Sequence, residues 1–147
     1  MVNRSGGLYI DAETRAIYFG IREKYSNLKL TNSDIFSLAL AMGYLNDEKK
    51  QLIRKNAFIR HETIPTNLFS QMILIAISEF GENSDEWIND PFIILSIAEE
   101  YANGGIMILE RFLQDYETDL AKELSQIILK LDEDYELTLK YQEFFEK

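Results

Sequence analysis

The stretch "NDEKKQLIRKNAFIRHE", residues 46–62, holds Lys49, Lys50, Arg54, Lys55 and Arg60, five of the 15 Lys and Arg in the chain. It also holds the only histidine, His61. Clustered cations suit an anion: phosphates of a nucleic acid, or carboxylates of an acidic protein. Phosphate contacts of this kind give affinity that weakens with salt and carry little sequence information. Asp47, Glu48 and Glu62 interrupt the positive field, and an ordinary solvated loop with local ion pairs is the plainer reading. Phe58 either stacks on a base or packs inward.

Other chemistry finds little footing. A hydrolase triad needs a nucleophile, a base and an orienting acid. Here His61 sits among charges with no strained serine turn nearby, so a solvent-facing structural role is expected. With no cysteine, disulfides, thiolate metal sites and a cysteine nucleophile are excluded. The carboxylate pairs Asp85/Glu86 and Glu99/Glu100 are adjacent, and adjacent helical residues do not share a face. One histidine cannot supply the two Glu-x-x-His motifs of a di-iron bundle. Residues 132–136, "DEDYE", lack the central glycine of a calcium loop. "NGGI", residues 103–106, lacks the lysine and spacing of a phosphate loop and reads as a turn between helices. Trp87 reads as a plug at the edge of the core. No metal, no cofactor and no catalytic residue are expected.

The elements that must position the basic stretch follow from apolar spacing. Residues 1–7 read as a loose tail. Asp11 is placed as the cap of a helix over 12–25, whose Ile17, Tyr18, Ile21 and Tyr25 share one face. A second, largely buried helix starts near Thr31 to Ser33 and closes at Gly43. The basic stretch has no clean period, with a short strand around 58–61. A helix over 67–80 ends at Gly81, followed by a turn with one short helical piece. Asp90-Pro91 opens another helix, which stops at Gly104-Gly105, and a further helix follows at once. Residues 118–146 form one or two helices, with Leu120, Leu124, Ile127 and Leu131 in an apolar stripe. The stripe seats on the core or on a partner. The expected architecture is an all-α, single-domain bundle of six or seven helices over 1–147.

The chain has 147 residues, 46% hydrophobic and 27% charged, ordinary for one soluble domain. The N-terminus has no apolar run that reads as a signal peptide, and the most apolar window, 67–77, is shorter than the ~20 residues a bilayer needs. A cytoplasmic protein is expected. Net charge is −10, and 18 of the 25 Asp and Glu lie in residues 63–147. The asymmetry is a solvated acidic surface or one half of a two-faced molecule.

Two blocks carry a resemblance. "DIFSLALAMGYLN" (34–46), then a basic stretch, then "IAEEYANGGI" (97–106), resembles the small Dnd-system-associated proteins, accessory to bacterial DNA phosphorothioation and its restriction genes. The matching positions are Phe36, Ala39, Gly43, Tyr44 and Asn46, then Ala98, Glu99, Glu100, Tyr101, Ala102, Gly104 and Ile106. The resemblance covers roughly 8–113 and leaves the C-terminal stripe outside. Where that family follows the asparagine with glycine and basic residues, this chain has Asp47-Glu48. The resemblance implies an accessory role in DNA modification or antiphage defence and supplies no catalytic residue. Three functions stay open. One is a non-enzymatic accessory protein, with Lys49, Lys50, Arg54, Lys55 and Arg60 on DNA or an acidic partner and the 120–131 stripe on a larger subunit. The second is an acidic DNA mimic that inhibits a nucleic-acid enzyme. The third is a self-associating assembly module.

Overall fold

The computed structural model describes residues 7–81 and 90–115. The chain divides into two compact units, Met1–Phe112 and Leu113–Lys147. The account below concerns the first. The tail before Gly7, the helical piece and Trp87 within 82–89, and the stripe of Leu120, Leu124, Ile127 and Leu131 lie outside the described residues.

Among the described residues there are four α-helices: α1 (Arg15–Lys24), α2 (Asn32–Leu45), α3 (Thr66–Phe80) and α4 (Pro91–Asp115). They are joined by short 3-10 turns at Ser26–Leu28 and His61–Thr63. There are also two strands, β1 (Leu8–Asp11) and β2 (Lys55–Ile59), paired antiparallel. Among the described residues the protein is thus mostly helical but not all-α, with four helices against the six or seven expected of the whole chain.

Three corrections explain the difference. Asp11 does not cap a helix over 12–25. It ends β1, and its carboxylate accepts from the Glu13 and Ile53 N–H groups at 3.0 and 2.7 Å. The helix begins three residues after the expected start, at Arg15, behind Thr14. Second, β1 pairs with β2 across more than forty residues of chain, and such a pairing leaves only a weak local trace in four-residue strands. The expected strand at 58–61 lies instead at 55–59.

Third, Gly104-Gly105 is no turn, and Gly43 does not close α2, which runs on to Leu45. Pro91–Asp115 is one helix of 25 residues, and both glycines lie inside it. A methyl group on Gly105 would overlap the Ala39 carbonyl oxygen of α2, and one on Gly43 would overlap that of Tyr101 on α4. The two backbones cross in direct contact, and only glycine leaves room for that. The exchange of helix propensity for close packing is favourable because the crossing buries Ala39, Ala98, Ala102 and Ile106. Helix α4 is long and apolar enough by composition to cross a membrane, but 67% of its most apolar window is buried inside the protein.

Other signals hold. Thr31 and Asp34 form a reciprocal capping box at the start of α2. Asp90 accepts from the Phe92 N–H at 3.0 Å, with Pro91 at the first helical position. Helix α3 ends at Gly81, whose φ is +56°. Helix α1 buries Tyr18, Ile21 and the adjoining Tyr25, spaced three and four apart. Phe36, Leu40, Leu68 and Met72 complete the core.

Candidate nucleic-acid or partner interface

The basic segment runs from the end of α2 through β2, and α4 holds its first half. At Gly104 the helix has no side chain, and the Glu48 carbonyl fills that space. The Lys50 N–H then donates to the Glu100 carbonyl at 3.0 Å. One helical turn on from Glu99, Asn103 donates its amide to the Lys50 and Gln51 carbonyls at 3.2 and 3.4 Å. Asp11 takes the Ile53 N–H, and the Ala12 N–H donates to the Arg54 carbonyl at 2.8 Å. The segment from 48 to 54 is therefore tied along its backbone, and Leu52 is buried beneath it.

The groups that tie it are themselves buried. Asp11, Thr14, Glu99 and Asn103 are each less than 5% exposed. Glu99 accepts the Tyr9 N–H of β1 at 2.6 Å. Thr14 donates to the Asp11 carbonyl at 3.1 Å. The N–H groups of Ile53 and Glu13 hold the Asp11 carboxyl below the usual carboxylate range, against the opposing effect of burial. Asp11 and Asn103 fix the loop, while Thr14 bonds both of them and Glu99 holds β1 alongside. Asp11 and Asn103 were missed as functional positions. The available signal was a helical face with polar Glu99 and Asn103 four residues apart inside an otherwise apolar run.

The five candidate cations separate into two groups. Lys49 bridges inward: its ammonium lies 2.7 Å from Glu79 and 3.7 Å from Glu100, over the Tyr101 ring at 5.5 Å. The hydrogen bond to Glu79 raises the Lys49 pKa, and the same bond lowers that of Glu79. Tyr101 donates to the other Glu79 oxygen at 2.6 Å, and burial, then Glu79, raises its pKa. Edge-on to it stands Tyr44, whose hydroxyl meets Ser78. Lys50 reaches the Met107 sulfur at 3.8 Å. Lys50, Arg54, Lys55 and Arg60 are exposed and, unlike Lys49, make no ion pair with any described residue, and the last three lie on β2 or beside its ends. Phe58 packs inward, its ring 4.8 Å from that of Tyr18. His61 is exposed on the 3-10 turn after β2.

No cluster of three or more metal-ligating side chains occurs among the described residues. A cavity of about 210 Å³ opens at the bulged end of the strand pair, lined in part by Tyr9, Ala57, Ile59 and Arg60. A wider apolar groove between α2 and α3, beside Leu45 and Leu74, has no charged side chain in its lining. Of the five candidate cations, Arg54, Lys55 and Arg60 thus lie together at the β1–β2 ribbon.

No curated protein and no solved structure gives a match to the chain. A family match runs from residue 22 to 144. It takes in the C-terminal segment that the motif resemblance left outside, and it starts beyond β1 and the first half of α1. Both motif blocks lie within it, so the chain belongs to the family of DNA sulphur modification system-associated protein 4.

Proposed function

We propose that the protein is a non-catalytic, cytoplasmic accessory component of a DNA sulphur modification system, and that it meets an anionic component of that system through the β2 ribbon. The observation that carries this reading is the separation of the cations. Lys49 is consumed by Glu79 and Glu100, whereas Lys55 stands exposed on a strand, with Arg54 and Arg60 exposed just beyond its two ends, and the approach to that strand is tied to α4. A pre-set surface loses little conformational freedom on binding, so three cations on it are worth more than three on a mobile loop. The effective site is then Arg54, Lys55 and Arg60, narrower than the five residues picked out by charge alone.

The test is binding of fluorescent duplex DNA and of a polyglutamate peptide at two salt concentrations. The expected result is binding of at least one anion, weakened by salt, and lost in the triple variant Arg54→Glu, Lys55→Glu, Arg60→Glu. If DNA is the ligand, three phosphate contacts set a slope of log K against log salt of about −2.7. Reversal of Lys49 is expected to leave binding intact. Failure of both anions to bind at low salt overturns the reading.

A further inference from the structure

The pairing of β1 and β2 leaves one sheet edge covered and one open. In an antiparallel ladder, residues alternate between those bonded to the partner strand and those whose N–H and C=O point away from it. Ala12 bonds to Arg54, so the next pairs, Asp11 with Lys55 and Tyr9 with Ala57, point their backbone groups outward. On the β1 side the outward N–H of Tyr9 is taken by buried Glu99. On the β2 side Lys55 and Ala57 are exposed, and their outward backbone groups bond to no described residue. One short edge is ready to pair, and Arg54, Lys55 and Arg60 flank it.

We propose that the open edge of β2 takes up an acidic, extended segment of another protein as a third strand. This rests on the reading of the ribbon as an anion-contact surface and names its partner. Strand addition draws affinity from main-chain hydrogen bonds and specificity from the side chains alongside. The charge pattern decides among occupants. A second copy of β2, laid antiparallel about Ala57, sets Arg54 opposite Arg60 at both ends, and like charges directly opposite repel. Lysine at an edge is a known guard against such self-pairing. Duplex DNA makes no use of the outward N–H groups in this way, and a net charge of −10 opposes a long polyanion more than a short acidic strand. Three cations match a few carboxylates, and the cavity beside Ala57 and Arg60 has room for one incoming side chain.

The experiment uses the intact protein and a ten-residue peptide of alternating Glu and Val, with duplex DNA in parallel. The variant Ala57→Pro removes one outward N–H and keeps every cation. Proline is tolerated at an edge where the N–H faces solvent. The expected result is that peptide affinity falls at least tenfold in Ala57→Pro and in the triple charge reversal, while any DNA binding is changed only by the reversal. Amide hydrogen exchange on the unmodified protein gives a second readout that does not depend on the variant folding. Peptide is expected to slow exchange at Lys55 and Ala57. Peptide binding without that protection overturns strand addition and leaves the anion surface standing. Binding of DNA alone, lost on reversal and intact in Ala57→Pro, also overturns it and assigns the surface to nucleic acid. If neither ligand binds, the anion-contact reading falls with it.

Discussion

The two halves of the basic segment share a composition and differ in use. Residues 48–53 are built into the protein. Their backbone is bonded to Asn103, Glu100 and Asp11, and Lys49 closes a bridge between α3 and α4. Residues 54–60 are presented by it. They hold a strand whose Phe58 packs on Tyr18, with Lys55 on it and Arg54 and Arg60 beside its ends, three exposed cations that make no ion pair with any described residue. Like charges close in sequence need not act together. A cation becomes structural where acidic side chains from other elements arrive beside it, as Glu79 and Glu100 do at Lys49, and stays available where none does.

Substitutions graded in strength test that division. The largest loss is expected where the backbones of α2 and α4 touch. Gly105→Ala drives a methyl into the Ala39 carbonyl and is expected to cost about 3 kcal/mol or more in urea unfolding. A variant of unchanged stability would mean that the two helices do not cross this closely.

Next comes the scaffold beneath the loop. Asp11→Ala leaves the Ile53 and Glu13 N–H groups without an acceptor, an expected loss of about 1–3 kcal/mol at neutral pH. The Asp11 pKa is lowered in the folded protein, so its contribution is present above the ordinary carboxylate pKa and is lost as pH falls through the folded value. The gap between wild type and variant should therefore close in acid. A gap that persists at pH 2 would assign the loss to packing instead.

The Lys49 bridge is expected to matter less. Its partners are about a third exposed, so Lys49→Met should cost no more than about 1 kcal/mol, and high salt should shrink the difference. The folded Glu79 pKa is lowered, so its share is lost as pH falls through the carboxylate range. The Lys49 pKa is raised, so its share is lost only as pH rises through the lysine range. The bridge thus acts across the whole neutral range, which unfolding at pH 3, 7 and 12 would check.

Smallest in stability and largest in binding is the outer half. Reversing Arg54, Lys55 and Arg60 together is expected to change stability by less than about 0.5 kcal/mol per site while removing anion binding. A marked stability loss would place these residues with Lys49 and erase the distinction.

Much of this was set locally and could be read from the chain. The Thr31–Asp34 capping box, Asp90-Pro91 and Gly81 mark helix ends through hydrogen bonds or backbone angles within a few residues. The apolar spacing of Tyr18, Ile21 and Tyr25 fixed the buried face of α1, and the two motif blocks pointed to the family. What the sequence could not settle were the features made by distant residues meeting. Whether Gly104-Gly105 breaks a helix or admits a neighbour depends on what lies opposite, and here Ala39 and Glu48 do. Whether Asp11 caps a helix or anchors a loop depends on Ile53, 42 residues away. Five cations in a row looked alike because charge is a local property. Which of them are free was decided by the tertiary fold, since a salt bridge or a sheet edge exists only between elements that the chain has brought together.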